Sequence, residues 1–297
     1  MNKKQKATLA LGNFDGIHKG HAKIIQQAID VSCKDEVYVC SFEPHPLQIL
    51  KNNPPKIITP LKQKVRIIEE IIGVNYFAMK FDMELAKLSG EEFILMLLDN
   101  FDIKNVVVGA NYYFGDKAKY STKDLKELGD KYSFNVYVVD ELKIYDEIVS
   151  STRIRKCLSD GNVELANELL GRNYCISGIC KKGRGIGKSI GYATANLSTE
   201  PKNQYPKQGV YATKTLIDGE PFISMTNVGY NPTVTSEHKR MIETHILGFD
   251  RVLYDEHIYV EFIERIRDEV KFESVDELKR QLELDKQEVE NIFNKTL

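Results

Sequence analysis

No stretch of the chain approaches the ~20 apolar residues that a membrane crossing requires. The basic start MNKKQK leads into an apolar run too short for a secretory leader, so export is not expected. Cysteine is sparse: five residues, at 33, 40, 157, 175 and 180, an odd number with no CxxC pair. That pattern argues against a disulfide framework and for free thiols in a cytoplasmic protein. Net charge is nearly absent, at −2 from 41 basic and 43 acidic residues. No global field therefore recruits nucleic acid or anionic membrane, and no basic stripe interleaved with aromatics is present. Repeats and low-complexity tracts are also missing. What remains is an ordinary globular composition, 42% hydrophobic and 28% charged. Its 297 residues fit two domains better than one.

The two halves differ in texture. In the first, the apolar runs TLALG (8–12), VYVCSF (37–42), YFAMKF (76–81), NVVVG (105–109) and NVYVVDEL (135–142) read as buried strands. Segments near 19–32, 61–72, 89–100 and 121–132 carry apolar residues at helical spacing between them. Alternation of this kind predicts right-handed βαβ units and a parallel sheet covered on both faces. Ligands in such sheets bind beyond the carboxyl ends of the strands. Near residue 172 the helices stop. From YCISGICKKG (174–183) onward, strands follow one another, with Asp218-Gly219 as a two-residue hairpin turn. Ser274 and Glu277 fit a capping box opening a final amphipathic helix. The second half is expected to be an antiparallel barrel or sandwich closed by that helix, with helices over 150–171 bridging the two parts.

LALGNFDGIHKGH, Leu9 to His21, carries more polar chemistry than a turn needs. A helix N-terminus offers unpaired N–H groups and a positive dipole end. Gly12 permits a sharp exit from the strand, and Gly20 removes a side chain that would block close approach. His18 and His21, three apart on the first turn, can both donate to one phosphate chain. Preorganised donors aimed at a leaving pyrophosphate are each worth about 10²–10³ in rate. A plain helix start with two partly exposed histidines fits the same spacing. A zinc pair fits less well, since no third ligand is placed nearby.

In the second half, GRGIGKSIGYATANLS (183–198) concentrates glycine ahead of Thr-Ala-Asn. Gly183, Gly187 and Gly191 can cradle phosphate through backbone N–H groups, or merely form a pliable surface loop. Thr194 and Asn196 offer neutral oxygens of the kind magnesium shares with water and substrate phosphates. Glu243 is a carboxylate among apolar strand residues; a solvated edge acid would look the same.

At these residues the chain resembles a known family. GNFDGIHKGH is similar to the signature of the HxGH nucleotidyltransferases, in detail to the FMN adenylyltransferase half of the bacterial bifunctional riboflavin kinase/FAD synthetases. FEPHP (42–46), VVGANYYFG (107–115) and SSTRIR (150–155) follow in that family's order. The region from about 174 resembles the family's riboflavin kinase domain through GYATAN, NVGYNPTV (227–234), ETHIL (243–247) and RDEVKF (267–272). Any one match is weak; their joint order is strong.

The resemblance implies an α/β N-terminal domain with a parallel sheet, of the HxGH nucleotidyltransferase-like Rossmann fold, over residues 1–171. Over 172–297 it implies a riboflavin kinase-like antiparallel β-barrel with a terminal helix. The activities implied are phosphorylation of riboflavin to FMN and adenylylation of FMN to FAD, with ATP and Mg²⁺. His18 and His21 are implied to act on the ATP phosphates, and Glu243 to be the general base for the riboflavin 5′-hydroxyl. Gly12, Phe14, Asp15, Gly20, Asn111, Ser151, Thr152 and Arg155 are implied to bind nucleotide, together with Gly183, Gly187 and Gly191. Ser151 and Thr152 can also cap the following helix, and Arg155 brings a fork of donors. Asn227 and Arg267 are implied to contact flavin, and Thr194 and Asn196 to bind the metal. Riboflavin, FMN and ATP are the partners; neither nucleic acid nor membrane is expected.

Two departures from the family pattern stand out. Tyr120 occupies a glycine position in the loop expected to accept flavin, and Ala193 a proline position before the metal ligands, where a proline would stiffen the chain. They leave open an enzyme active in one half only, with the other half a flavin sensor. A non-catalytic flavin- or RNA-binding regulator is the remaining alternative.

Overall fold

The structure, a computed structural model, describes residues 4–182, 192–230 and 240–295. The chain divides into two compact units, Met1–Ser151 and Thr152–Leu297.

In the first unit five parallel strands form one sheet: β1 (Lys6–Leu11), β2 (Glu36–Glu43), β3 (Asn75–Lys80), β4 (Asp102–Gly109) and β5 (Asn135–Val139). Their order is β3-β2-β1-β4-β5. Chain progression reverses between β1 and β4, and that is where open α/β sheets bind ligands. The sheet is apolar on both faces because helices cover both. Leu9, Leu11, Val106 and Val108 pack with Phe93, Leu97 and Leu125, from α4 (Gly90–Asn100) and α5 (Thr122–Tyr132). Ala10, Val39 and Val107 pack with Ile25 and Ala28 of α1 (Lys19–Val31) on the opposite face.

Two elements differ from expectation. The strand expected to reach residue 142 ends at Val139, because its partner β4 ends opposite it at Gly109. The helix expected over 61–72 is α-helical only at α3 (Leu61–Val65); Arg66–Ile72 is wound as a π-helix. Over so few residues the apolar pattern cannot separate these two windings.

The second unit opens with α6 (Ser151–Asp160), whose first residue belongs to the first unit, and α7 (Val163–Leu170). The short helix α2 (Pro46–Leu50) and the two-stranded hairpin β6 (Lys143–Ile144) and β7 (Glu147–Ile148) precede them in the chain. Then six antiparallel strands close a barrel: β8 (Tyr174–Lys181), β9 (Ala195–Ser198), β10 (Gly209–Ile217), β11 (Glu220–Tyr230), β12 (Arg240–Ile246) and β13 (His257–Arg267). Around the barrel the order is β10-β11-β12-β9-β8-β13. Asp218 and Gly219 take φ of 52° and 88°, as the expected hairpin turn requires.

The final helix, α8 (Val275–Asn294), lies over β10, β11 and β13 and buries Val289, Ile292 and Phe293 against Val210, Ala212 and Met225. At its start Ser274 accepts from Glu277 N–H, as expected, but the Glu277 carboxylate reaches Glu273 N–H rather than that of Ser274. The opposite face of these strands, continued on β12, points into the barrel and sets a polar patch among apolar residues such as Val228, Ile242, Val260 and Phe262. Thr213, Thr215, Ser224, Thr226 and Thr244 are each 0% exposed. Their hydroxyls close a five-membered ring through Thr213–Ser224 (2.8 Å), Ser224–Thr215 (2.8 Å), Thr215–Thr244 (3.3 Å), Thr244–Thr226 (2.9 Å) and Thr226–Thr213 (2.8 Å). Every buried hydroxyl thereby finds partners, as a closed barrel demands.

Candidate active sites

The first site forms where β1 and β4 end. Beyond β1 the chain turns through Phe14, Gly16 and Ile17, all with positive φ (47°, 93° and 40°). Phe14 is fully buried and Ile17 nearly so, so packing holds the two non-glycine residues in a conformation they rarely adopt. Side chains clamp the loop as well. The Asp15 carboxylate, 2% exposed, accepts from Ile58 N and Thr59 N at 3.0 Å each. Ser41 Oγ donates to Asn13 O at 2.8 Å, and Ser151 Oγ to Asp15 O at 2.7 Å.

His18 then caps α1: its Nδ1 accepts from His21 N at 3.2 Å. An accepting Nδ1 places the proton of a neutral imidazole on Nε2, which makes that edge a donor. The rings of His18 and His21 stack at 3.6 Å and 14°, with Phe14 edge-on to His21 at 5.2 Å. The structure adds a local reason for both glycines. A Cβ on Gly12 would meet the Phe14 ring at 3.1 Å, and one on Gly20 the His18 ring at 3.2 Å. The site's own aromatic and imidazole rings approach both glycines closely. From the end of β4, Asn111 donates to Glu141 Oε1 at 3.2 Å, on the exposed side of the strand ends.

Ser151 is the first residue of α6, so its hydroxyl pins the loop at Asp15 instead of capping the helix. Thr152 and Arg155 follow on that helix. His45 caps α2 through Leu47 N at 3.2 Å. Tyr120 lies so close over Gly90 and Gly115 that a Cβ on either would come within 2.7 and 2.6 Å of its ring.

Sequence reasoning missed Lys64. Its side chain is 4% exposed; Nζ pairs with Glu43 at 2.7 Å and donates to Ser41 Oγ at 3.2 Å and Asn13 O at 3.3 Å. The available signal was its place four residues before the buried Ile68, on the apolar side of its helix. Lys64→Met removes one half of this pair from a site with little water. A stability loss of roughly 2–4 kcal/mol is expected in urea unfolding, below the full cost because Glu43 keeps some solvent access. An unchanged midpoint would show that the pair does not hold the loop.

The second site is a row across three strands. Ladder register sets Glu243 of β12 opposite Asn227 of β11 on one side and Asn196 of β9 on the other. Glu243 therefore sits on a central strand, not at a sheet edge. Thr194, exposed, lies just before β9. Asn227 donates to Glu269 Oε1 at 3.0 Å, while its buried Oδ1 accepts nothing among the described residues. One carboxylate, two amides and a hydroxyl make an oxygen-only donor set, with that orphaned amide oxygen in it. Such a set suits magnesium, which keeps several waters and substrate oxygens. Among the described residues no group of three His, Cys, Asp or Glu gathers as a metal cage.

Arg267 is held in place by its neighbours. Its Nε and Nη2 donate to the two oxygens of Asp285, at 2.7 and 2.6 Å, and Nη1 donates to Asp268 O at 2.9 Å. Asp285 is 1% exposed, so this bidentate pair fixes α8 to the end of β13. Gly183, Gly187, Gly191 and residues 231–234 lie outside the described residues.

Residues 1–153 match the FAD synthetase family and residues 170–293 the riboflavin kinase family. A bifunctional riboflavin kinase/FMN adenylyltransferase from Buchnera aphidicola subsp. Schizaphis graminum is 36% identical over 295 residues, spanning 97% of this chain and 94% of the relative. The protein of the same description from Bacillus subtilis is 35% identical over 297 residues, spanning 97% and 93%. The crystal structure of a macrolide-efflux protein from Streptococcus pneumoniae superposes with a TM-score of 0.88 at 31% identity, covering 98% of this chain and 96% of that one. With both matches in one chain, in the order of its two sites, the chain belongs to the bifunctional riboflavin kinase/FMN adenylyltransferase family.

Proposed function

We propose that the chain makes FAD from riboflavin in two ATP-dependent transfers, one in each unit. In the second unit the riboflavin 5′-oxygen attacks the γ-phosphorus of ATP, ADP leaves, and Glu243 takes the hydroxyl proton. Thr194 and Asn196 hold magnesium there; when bound it neutralises charge on the phosphates. Gly183, Gly187 and Gly191 supply backbone donors to the nucleotide. Asn227 lines the flavin side, and Arg267, through Asp285, keeps β13 and α8 in register beside it. In the first unit an FMN phosphate oxygen attacks the α-phosphorus of a second ATP and pyrophosphate leaves. His18 and His21 donate to the departing phosphates, Gly12, Phe14, Asp15 and Gly20 shape the loop that presents them, and Asn111 positions the reacting groups. Ser151 secures that loop, while Thr152 and Arg155 add donors to the triphosphate. No side-chain nucleophile is required.

The cross-strand row Asn196–Glu243–Asn227, in one chain with the stacked His18–His21 pair, carries this reading. Incubation with riboflavin, ATP and magnesium, with products resolved by chromatography, should yield FMN and then FAD. FMN alone, or FAD only from supplied FMN, would mean that one half is inactive. The five free cysteines and the use of ATP support a cytoplasmic location. No helix among the described residues is long and apolar enough to cross a membrane.

The functional boundary is tested by two fragments. Helix α7 buries Val163, Ala166, Leu169 and Leu170 and packs on β8 and β13. Asn167 donates to Phe262 O at 2.8 Å and accepts from Tyr174 N at 2.6 Å. Residues 152–297 should therefore melt cooperatively and make FMN. Residues 171–297 should be less stable by roughly 3 kcal/mol or more, from exposure of that apolar face. Equal stability of the two fragments would favour a boundary at 171/172.

A further inference from the structure

Residues Tyr192 to Thr194 join no strand, and the ladder begins only at Ala195, opposite Thr244. Two side chains from elsewhere in the unit reach this approach segment. His245 Nδ1, from β12, lies 2.8 Å from Ala193 O. Since a carbonyl oxygen only accepts, Nδ1 carries the proton. The His245 ring also meets the Tyr192 ring, with centroids 4.9 Å apart. From α8, Glu283 accepts from the Tyr192 hydroxyl at 2.8 Å, while the Tyr192 ring packs against the apolar contact between barrel and helix.

We propose that His245 is a positioning residue for the metal-bearing segment, bracing Ala193 so that Thr194 is held between that point and the β9 ladder. The inference rests on the kinase reading above, and it assigns to His245 and the Tyr192–Glu283 pair the order that Ala193 itself does not impose. A proline at 193 would fix φ directly. Alanine leaves φ free, and the hydrogen bond from β12 instead restrains the Ala193 carbonyl and with it the peptide plane leading to Thr194. Thr194 is exposed and has no ladder partner of its own, so its place depends on the residues flanking it. Loss of the brace should therefore weaken metal binding more than the chemical step.

The test uses the full chain with His245→Phe, which keeps a ring against Tyr192 and removes the donor, and His245→Asn, which keeps an N–H donor. In metal-free protein, amide hydrogen exchange over residues 192–196 should quicken about three- to tenfold in His245→Phe, the scale of one hydrogen bond, and stay near wild type in His245→Asn. The magnesium concentration for half-maximal FMN formation should rise by a similar factor in His245→Phe, with the rate at saturating magnesium within about twofold of wild type. Adding Ala193→Pro to His245→Phe should slow exchange again and restore the magnesium requirement. Unchanged exchange in His245→Phe, or a lower saturated rate with an unchanged magnesium requirement, would overturn the proposal. So would failure of Ala193→Pro to slow exchange. A wild-type protein that makes no FMN would overturn the kinase reading alone, because the metal-free exchange still judges the brace.

Discussion

Glu243→Gln is expected to lower FMN formation by roughly 10²–10⁴-fold, the range for removing a general base. The substitution keeps the size of the side chain and deletes the proton acceptor. Because β12 is hydrogen-bonded through its backbone to β11 and β9, the ladder that holds position 243 does not depend on the carboxylate. Thermal stability should therefore change little while the rate collapses. Supplied with FMN and ATP, the variant should form FAD at the wild-type rate, since that chemistry is assigned to the other unit. An unchanged rate of FMN formation would remove Glu243 from the mechanism and leave the family assignment intact.

His21→Ala is the complementary case, with an expected loss of roughly 10²–10³ in FAD formation and little change in kinase turnover. His18 is less clean to test, because its Nδ1 also caps α1 and its ring fills the space above Gly20. Removing a cap costs about 0.5–2 kcal/mol, so His18→Ala mixes folding with catalysis. His18→Asn separates them: asparagine caps well but offers no imidazole edge to phosphate. FAD formation should stay low in that variant while the melting temperature remains near wild type. Equal loss of both activities in His21→Ala would instead assign that ring to folding.

The parallel sheet was legible because its strands are buried on both faces, so Leu9, Ala10 and Leu11 are all apolar and the run is unmistakable. The Asp218-Gly219 turn was legible because few residue pairs adopt two successive positive φ values. Glu243 was recognised by its resemblance to a family, but its place on a central strand was not readable, because sequence does not reveal which strand pairs with which. The roles of Lys64 and Asp285 were hidden for a different reason. A buried charge is tolerated only through its partner, and Glu43 and Arg267 lie 21 and 18 residues away along the chain. That Asp15 also accepts backbone N–H groups of Ile58 and Thr59 was hidden in the same way, since those partners lie 43 and 44 residues away.

The ring of five hydroxyls inside the barrel bears on where the kinase proton travels. Thr244 and Thr226 of that ring are the immediate neighbours of Glu243 and Asn227, on the opposite face of the same strands. Thr226 donates to Thr244, the other pairs can take either sense, and Thr213 O is a further acceptor for Ser224 Oγ at 3.2 Å. No member of this ring is charged, so a set of neutral hydroxyls that bond to one another lies behind Glu243. If Glu243 takes the substrate proton as proposed, the neutral hydroxyls behind it offer no basic group to receive it, so the outer face is the side by which that proton leaves.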